Sequence, residues 1–343
     1  MDTLPVVDDF RWNPLSGTTI GAVIYWWLTV FLIGLIAWPL TYVILGNLRD
    51  RGYVFARGLG ILTIAYINWL LASLRLMRNA LPTLLLAALL VAVCSGGLLR
   101  RHGREMRAFL RAQRGLLLVS EAVFSGAVLL FVLIRLGNPD LWQPWNGGEK
   151  FMEFAFLNAI LRSPYFPPYD PYFASGYINY YYYGQYLVAT LIKLTGITPS
   201  VAFNLAVPTL FALTFAGAFS VVYNLAPAQP RGVAQKRDQD ANDAATATFK
   251  RRPFWLQGIG LGLVGGAFVA LLGNLDAFGQ VLRGLGSIGG SQFRSQIPLL
   301  QPIVRAVPGF VKMLGSGNLP DYDFWAPSRV IPYTINEFPY WSF

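Results

Sequence analysis

Residues 180–194 read YYYYGQYLVATLIKL, and the length of this segment decides how the chain is threaded through a membrane. Four consecutive tyrosines begin it, and mostly apolar residues complete it. Its fifteen residues would make about 22 Å of helix, which is shorter than the ~30 Å hydrocarbon core of a bilayer. We therefore predict a short helix that lies at the membrane surface or re-enters it without crossing.

The composition places most of the remaining chain in the membrane. Hydrophobic residues make up 55% and charged residues 13% of the 343 residues, whereas a globular domain averages about a quarter charged. The predicted fold is all-α: a polytopic transmembrane helix bundle of about six spans, with juxtamembrane helices in its external loops. Six apolar runs approach the roughly 20 residues that a span requires: 21–45, 54–74, 81–99, 116–136, 201–225 and 254–275.

Basic residues orient this bundle, because Lys and Arg are retained on the cytoplasmic side of a membrane. The segment 100–114 carries six arginines and should be inside. The N-terminus and residues 138–185 then lie outside. If 180–194 crossed the bilayer, the Lys- and Arg-rich segment 226–253 would also lie outside, so the short helix keeps that segment in the cytoplasm. The expected location is a cell membrane, crossed several times.

Four regions follow from this threading. They are a four-span membrane region (1–136), an external loop with juxtamembrane helices (137–200), two spans joined by a cytoplasmic linker (201–275) and a second external region (276–343). The sequence ends within an aromatic run, Tyr340-Trp341-Ser342-Phe343. We take this ending as a sign that the chain is the N-terminal part of something longer.

The available residue types limit the possible chemistry. The chain has a single cysteine, Cys94, and a single histidine, His102. A disulfide framework and a thiolate or His-rich metal site need more cysteines or histidines than this, and the one histidine that a Ser-His-Asp triad could use lies in an arginine cluster. Carboxylates, Lys, Arg and Tyr remain as candidate catalytic groups.

The external carboxylates allow more than one interpretation. Glu149 and Glu153 are four residues apart, so on a helix they share a face and could serve as a base or hold a divalent cation such as Mg²⁺ or Mn²⁺. A solvated or salt-bridged face with Lys150 and Arg162 is equally open. Asp170 is flanked by prolines, where it could form a turn or act as a functional carboxylate. The surrounding aromatic rings could stack on sugars or form an interfacial belt.

Several sequence blocks resemble a known family, the YYY family of very hydrophobic integral membrane proteins. They are EKFMEFAFLNAI (149–160), FPPYDP (166–171), GYINYYYYGQ (176–185), SRVIP (328–332) and INEFPYWSF (335–343). The resemblance covers about residues 138–343 and implies no proven activity. In that family the last block continues into an Asp-Leu-His-Pro-His motif, so a chain ending at Phe343 is expected to be inactive alone.

The layout is more remotely similar to the GT-C glycosyltransferases, such as protein O-mannosyltransferases and aminoarabinose transferases. Those enzymes place an acidic residue early in the first large external loop and use a polyprenyl-phosphate sugar donor. Many have an aspartate pair where this chain has Glu149 and Glu153, so the identity of the base stays open. The candidate catalytic residues are Glu149, Glu153 and Asp170. The candidate substrate-binding residues are Lys150, Arg162, Tyr181, Tyr182, Tyr183, Gln185, Arg329 and Glu337.

Three functions from different classes are compatible with these observations. The first is a lipid-linked sugar transferase on the outer membrane face. The second is a transporter or flippase for a lipid-linked or small polar substrate, which should bury ionisable residues within its spans; the predicted spans contain almost none. The third is a non-catalytic envelope scaffold. Membrane lipid and a polyprenyl-phosphate-linked sugar are the expected partners, and nucleic acid is not expected.

The orientation can be tested by cysteine labelling. Segments 46–53, 100–114 and 226–253 are expected in the cytoplasm because of their Lys and Arg content. In a Cys94→Ser background, an impermeant maleimide added to intact cells should label Trp145→Cys and miss Asp240→Cys. Permeabilised cells should label both. Strong labelling of position 240 from outside would contradict both the orientation and the non-crossing helix.

Overall fold

The computed structural model describes residues 6–8, 12–137, 139, 141, 150–226, 258–271, 275–290, 292, 294–297 and 300–316. Within these ranges the regular structure is helical, and β-structure is limited to one isolated bridge between Tyr169 and Tyr177. A 3-10 turn, Pro14–Gly17, precedes the first long helix. The predicted all-α fold is confirmed.

Ten α-helices are present in the described part of the chain. In chain order they are α1 (Thr19–Ile44), α2 (Ala56–Ser73), α3 (Leu81–Ala112), α4 (Arg114–Gly137), α5 (Lys150–Arg162), α6 (Tyr183–Thr195), α7 (Pro199–Leu225), α8 (Ile259–Ala270), α9 (Leu275–Gly289) and α10 (Gln301–Ser316).

Five of these helices, α1 to α4 and α7, are long and apolar enough to cross a membrane. Helices suit this role because they satisfy every backbone polar group internally, where lipid offers no hydrogen bonds. Their outer faces remain apolar: Leu89 and Val93 of α3 and Leu133 of α4 are all exposed. Such faces are expected to contact acyl chains. The protein is therefore a multi-pass helical membrane protein.

The sixth predicted span, 254–275, is represented among the described residues by α8. This helix has 12 residues, or about 18 Å, which is too short to cross a bilayer alone. Positions 254–257 and 272–274 lie outside the described residues, so the sixth span stays a prediction. α8 packs on α7 through small residues, since a Cβ atom added to Gly262 would lie 2.9 Å from the carbonyl oxygen of Phe219.

Hydrogen bonds at the two ends of the spans establish their directions. At one end, the backbone N–H of Arg49, which follows α1, donates to Oδ1 of Asn224 in the last turn of α7. We call this the basic end. At the other end, Nε of Arg135 in the last turn of α4 donates to Oδ1 of Asn204 near the start of α7, at 2.9 Å. α7 therefore runs toward the basic end, as α1 does.

Helix α6 does not cross the bundle. This agrees with the short, non-crossing helix predicted from residues 180–194. The carbonyl oxygen of Gly196, just after α6, accepts from the backbone N–H of Asn13, just before α1, at 2.9 Å. The hydroxyl of Tyr186, in the first turns of α6, accepts from Nδ2 of Asn68 in the last turns of α2 at 2.8 Å. Both ends of α6 therefore lie opposite the basic end, at what we call the α5–α6 end.

The expectation that 100–114 is a loop is wrong. α3 continues as a helix of 32 residues to Ala112, and the next helix begins at Arg114. The helix continues because Gly103 and Met106 are buried on its inner face while the arginines lie on its exposed face. The ring of Phe109 also packs edge-on against Tyr42 of α1, at 5.6 Å between centroids.

An ion pair is buried between α2 and α4 near the basic end. Nη2 of Arg57 lies 2.5 Å from Oε2 of Glu121, and the Arg57 side chain is only 4% exposed. The hydroxyl of Tyr53 donates to Oε1 of the same carboxylate at 2.7 Å. Burial, reinforced by the charge of Glu121, raises the pKa of Tyr53, so its hydroxyl stays a donor. Arg57 and Glu121 fall in the predicted spans 54–74 and 116–136, where almost no ionisable residues were expected.

The connection between α2 and α3 anchors α5 and α6 through buried amides. Nδ2 of Asn79 donates to the carbonyl oxygens of Ile160 and Ser163 at 3.0 and 3.1 Å, and Oδ1 of Asn79 accepts from Asn68 at 3.0 Å. The hydroxyl of Tyr186 donates to the carbonyl oxygen of Ala65 at 2.7 Å. We call Asn68, Asn79 and Tyr186 the amide network.

Contacts divide the described residues into two compact units. Those up to Gly266 form the membrane bundle with α5 and α6, and those from Ala267 to Ser316 form a second unit that contains α9 and α10. The two units are described separately below.

The amide network can be tested by truncation. Asn79→Ala leaves two buried carbonyl oxygens and the amide of Asn68 without this partner. The free energy of unfolding should therefore fall by about 2 kcal/mol or more. The expected result is a lower melting temperature of the detergent-solubilised protein in a fluorescence assay. Asn179→Ala, an exposed change in the neighbouring loop, is the control. Equal melting temperatures for the two variants would contradict the proposed anchor.

Candidate functional site

An open groove lies between α2, α5, α6 and α7 at the α5–α6 end. Its volume is about 310 Å³. We call it the lateral groove. Its wall is predominantly apolar, and its polar lining comes from Glu153, Gln185 and Thr209, with the backbone of Gly184. The apolar lining is Ile61, Leu157, Leu187, Val188, Leu191, Phe203, Ala206, Val207, Leu210 and Leu213.

The lateral groove opens toward the lipid-facing side of α7. Its lining positions on α7 run from Phe203 to Leu213 on one helical face, which is about 15 Å of helix. Two of them, Val207 and Leu210, are 37% and 66% exposed, as lipid-facing residues of a span are. A hydrocarbon chain could therefore enter the groove sideways from the bilayer.

Glu153 and Gln185 both line the groove, and both were candidates from the sequence. Glu153 lies in the first turn of α5, where the helix dipole favours a negative charge. Gln185 lies in the first turn of α6. Because α5 and α6 pack against each other, residues 32 positions apart in the sequence contribute to one groove. Of the described residues, Glu153 is the carboxylate that lines it.

Two of the candidate tyrosines, Tyr182 and Tyr183, serve packing. The hydroxyl of Tyr182 accepts from Nε1 of Trp69 at 3.0 Å, and its ring stacks on Phe166 at 5.9 Å between centroids. Tyr183 makes an edge contact with Trp69 at 6.2 Å. Burial raises the pKa of Tyr183, so its phenol stays protonated at neutral pH. Tyr181 is 83% exposed and is the tyrosine free to meet a ligand from outside.

Asp170 forms a turn. Its Oδ1 accepts from the backbone N–H groups of Tyr172 and Phe173 at 2.8 and 3.2 Å, and its own N–H donates to the carbonyl oxygen of Gly176 at 3.0 Å. This is the turn that its proline-flanked sequence predicts. The Asp170 side chain thus has a structural role that does not depend on catalysis.

The other candidates are spread along α5 or fall outside the described residues. Lys150 is the first residue of α5, three positions before Glu153. Arg162 is the last residue of α5; its side chain is exposed, and its carbonyl oxygen accepts from the backbone of Val7 at 2.9 Å. Glu149, Arg329 and Glu337 lie outside the described residues. From the sequence we predict that Glu149 and Glu337 approach Glu153 and Asp170 in one cavity, and this stays a prediction.

A second cavity, of about 230 Å³, lies on the opposite face of α7. We call it the arginine cavity, because Arg135 lines it together with Asn204 and the residues that precede and begin α1. Asn204 holds the guanidinium and donates from Nδ2 to the carbonyl oxygen of Ser200 at 3.1 Å. Arg135 was not among the residues predicted from the sequence. Its position at the end of the apolar run 116–136 is typical of an arginine at a membrane interface and gave no signal of a cavity.

Helix α7 is the wall between these two cavities, and it contains a buried proline. Pro208 lies inside α7. Proline has no N–H, so the carbonyl oxygen of Asn204, four residues earlier, receives no helical hydrogen bond from it. The helix therefore lacks one backbone bond at the level where both cavities contact it.

The described residues do not form a complete cation site. Within the ranges given above, no three His, Cys, Asp or Glu side chains come together. Glu153 and Gln185 offer a carboxylate and an amide oxygen, which are the ligand types that Mg²⁺ and Mn²⁺ prefer. A cation in the lateral groove would need further ligands from substrate, water or residues outside these ranges.

The fold is that of a polytopic helical membrane protein, and its bundle has two cavities on opposite faces of α7. The chain belongs to the uncharacterized membrane protein family DUF2298, whose family model matches residues 63–343. That match includes all of α3 to α7 and every lining residue of the lateral groove except Ile61. Comparison with curated proteins and with solved structures gave no match.

The role of Asp170 can be separated from catalysis by two substitutions. Asp170→Asn keeps an oxygen at the Oδ1 position, so the turn and any activity of the full-length protein should persist. Asp170→Ala removes both turn hydrogen bonds and should cost about 1 kcal/mol of stability. Limited proteolysis of the loop should therefore be faster in the alanine variant alone. Loss of activity in the asparagine variant with an intact loop would instead make Asp170 a functional carboxylate.

Proposed function

We propose that this protein is a membrane glycosyltransferase of the GT-C type, which transfers a sugar from a polyprenyl-phosphate donor on the outer membrane face. One observation carries the proposal: the lateral groove offers a hydrocarbon chain an exposed apolar wall along α7, and part of its polar lining, Glu153 and Gln185, lies in the first turns of α5 and α6. The remote similarity of the layout to GT-C enzymes supports the same function.

The groove would position a lipid-linked donor, not extract it from the membrane. A polyprenyl chain is already dissolved in the bilayer, and lipid tails are as apolar as leucine, so little free energy is gained by moving the chain. What the groove can supply is orientation. A chain along Phe203 to Leu213 would place its phosphate near the start of α5 and α6, where Glu153 and Gln185 lie.

The transfer itself needs a base and a counter-charge. A bond forms between the acceptor oxygen and the anomeric carbon, while the bond from that carbon to the phosphate oxygen breaks. The hydroxyl proton passes to a carboxylate, and polyprenyl phosphate leaves as an anion. Glu153, with Glu149 four residues earlier, is the proposed base.

The cations proposed to hold the phosphate are near or beyond α5. Lys150 lies one helical turn before Glu153, so both side chains can reach the same region. Arg162 and Arg329 are further candidates. Arg135 lines the arginine cavity on the other face of α7, where its guanidinium could hold the phosphate of a second lipid-linked or phospholipid molecule.

The buried charged residues give the transporter alternative less support than the lateral groove gives the proposed transferase. Arg57 and Glu121 neutralise each other. The carboxylate of Asp50 accepts from Ser220, Asn224 and the backbone of Gly52. All of these groups lie toward the basic end, whereas the lateral groove has its polar lining at the opposite end. They are consistent with holding helices together and do not form a path along the groove.

The proposed base can be tested by Glu153→Gln and Glu149→Gln in the full-length protein. The amide preserves size but cannot take the proton, and a positioned base contributes about 10²- to 10⁴-fold. Transfer from a panel of radiolabelled polyprenyl-phosphate sugars in proteoliposomes should fall by that factor in at least one variant.

Glu105→Gln is the matched control, because the Glu105 side chain is 72% exposed on α3 near the basic end. It should keep full transfer, and all three variants should insert normally. Wild-type transfer by both Glu149→Gln and Glu153→Gln would exclude these carboxylates as the base. Movement of a fluorescent lipid-linked sugar across the bilayer without any transfer would favour a flippase, and neither activity would favour a scaffold.

A further inference from the structure

Helices α9 and α10 pack against each other with their backbones in contact. A Cβ atom added to Gly309 would lie 1.8 Å from the carbonyl oxygen of Leu285, and one added to Gly289 would lie 2.2 Å from that of Arg305. A later residue of α9 therefore meets an earlier residue of α10, so the helices are antiparallel. Only glycine permits this approach, and the two helices form a thin layer that we call the α9–α10 hairpin.

One face of this hairpin is apolar and exposed. Ile303, Val307, Phe310 and Leu314 recur every three or four residues along α10, and they are 45%, 60%, 48% and 69% exposed. On α9, Val281 is 42% exposed. A contiguous stripe of this kind marks a surface that contacts protein or membrane, not water.

The opposite face is polar and basic. At about 100° per residue, Arg305 lies across α10 from the apolar stripe. Arg305 and Arg283 line a cleft of about 460 Å³ together with Gln301 and Ser287. Nζ of Lys312 donates to the last carbonyl oxygens of α9 at 3.2 and 3.4 Å. The hairpin is therefore amphipathic across its thickness.

We infer that the α9–α10 hairpin lies flat in the headgroup region of the bilayer, with its apolar stripe on the acyl chains and Arg283 and Arg305 toward anionic lipid phosphates. Its helices have 15 and 16 residues, or about 22 to 24 Å, so neither crosses a ~30 Å core.

Two observations favour lipid as the occupant of the apolar face. Five spans already hold the chain in a bilayer, so an acyl surface is within its reach without any further partner. Residues 267–316 contain four Lys or Arg and one Asp, which complements anionic headgroups. An interfacial helix pair of this kind is bound to the membrane both by the burial of its apolar residues and by the attraction of its basic residues to anionic headgroups.

The test uses the full-length protein in liposomes of phosphatidylcholine and phosphatidylglycerol. In a Cys94→Ser background, a nitrobenzoxadiazole probe is attached at Val307→Cys on the apolar stripe or at Ser287→Cys on the basic face. The probe at 307 should emit at shorter wavelength and lose intensity when the lipids carry bromine on their acyl chains. The probe at 287 should instead be quenched by aqueous iodide.

Two outcomes would overturn the inference. Equal iodide quenching at both positions would mean that the stripe faces water. A blue-shifted probe at 307 that brominated lipid does not quench would mean that protein covers the stripe, either the bundle of this chain or a second copy.

The arginines have a separate test. Removing phosphatidylglycerol should weaken the bromine quenching at 307, and Arg305→Gln should abolish that dependence on headgroup charge. Quenching that is independent of headgroup charge in the unsubstituted hairpin would overturn the role given to the arginines. None of these measurements uses glycosyl transfer, so their result is independent of the proposed activity.

Discussion

The hydrogen bonds of Asn68, Asn79 and Tyr186 are the interaction on which the candidate site depends. They lie in a buried, low-dielectric region, where a polar group without a partner is costly, so they specify one arrangement of α2, α5 and α6. That arrangement keeps α6 at one end of the bundle. It also makes α7 start at the same end, which creates the wall of the lateral groove.

Much of the fold follows from length and hydropathy. Five apolar runs became long helices, and the 15-residue tyrosine segment is too short to cross whatever its composition. The extension of α3 to Ala112 could not be predicted in this way. Its arginines were used only as markers of orientation, although Arg is a good helix former. The contact of Phe109 with Trp38 and Tyr42 that supports the extension exists only after folding.

The sequence identified two polar residues of the lateral groove but not how they are arranged. Glu153 and Gln185 were candidates, yet their shared groove depends on the packing of α5 against α6, which the sequence does not contain. Asp170 was different, because its turn is encoded locally by neighbouring prolines. The ion pair between Arg57 and Glu121 and the place of Arg135 in a cavity were not predicted, because hydropathy averaged over a span hides a single charge. Within a membrane-spanning segment, the position of a single charged residue says more about function than the mean hydropathy of the segment does.

Helix α7 forms a wall of both cavities, so a displacement of α7 that enlarges one cavity would narrow the other. Helix α7 is weakened at Pro208, which has no N–H to donate to the carbonyl oxygen of Asn204. The side chain of Asn204 also accepts the hydrogen bond from Arg135. A small tilt of residues 199–207 about this point would widen one compartment and narrow the other. Such a tilt would also displace Asn204, and with it the guanidinium of Arg135 that Asn204 holds.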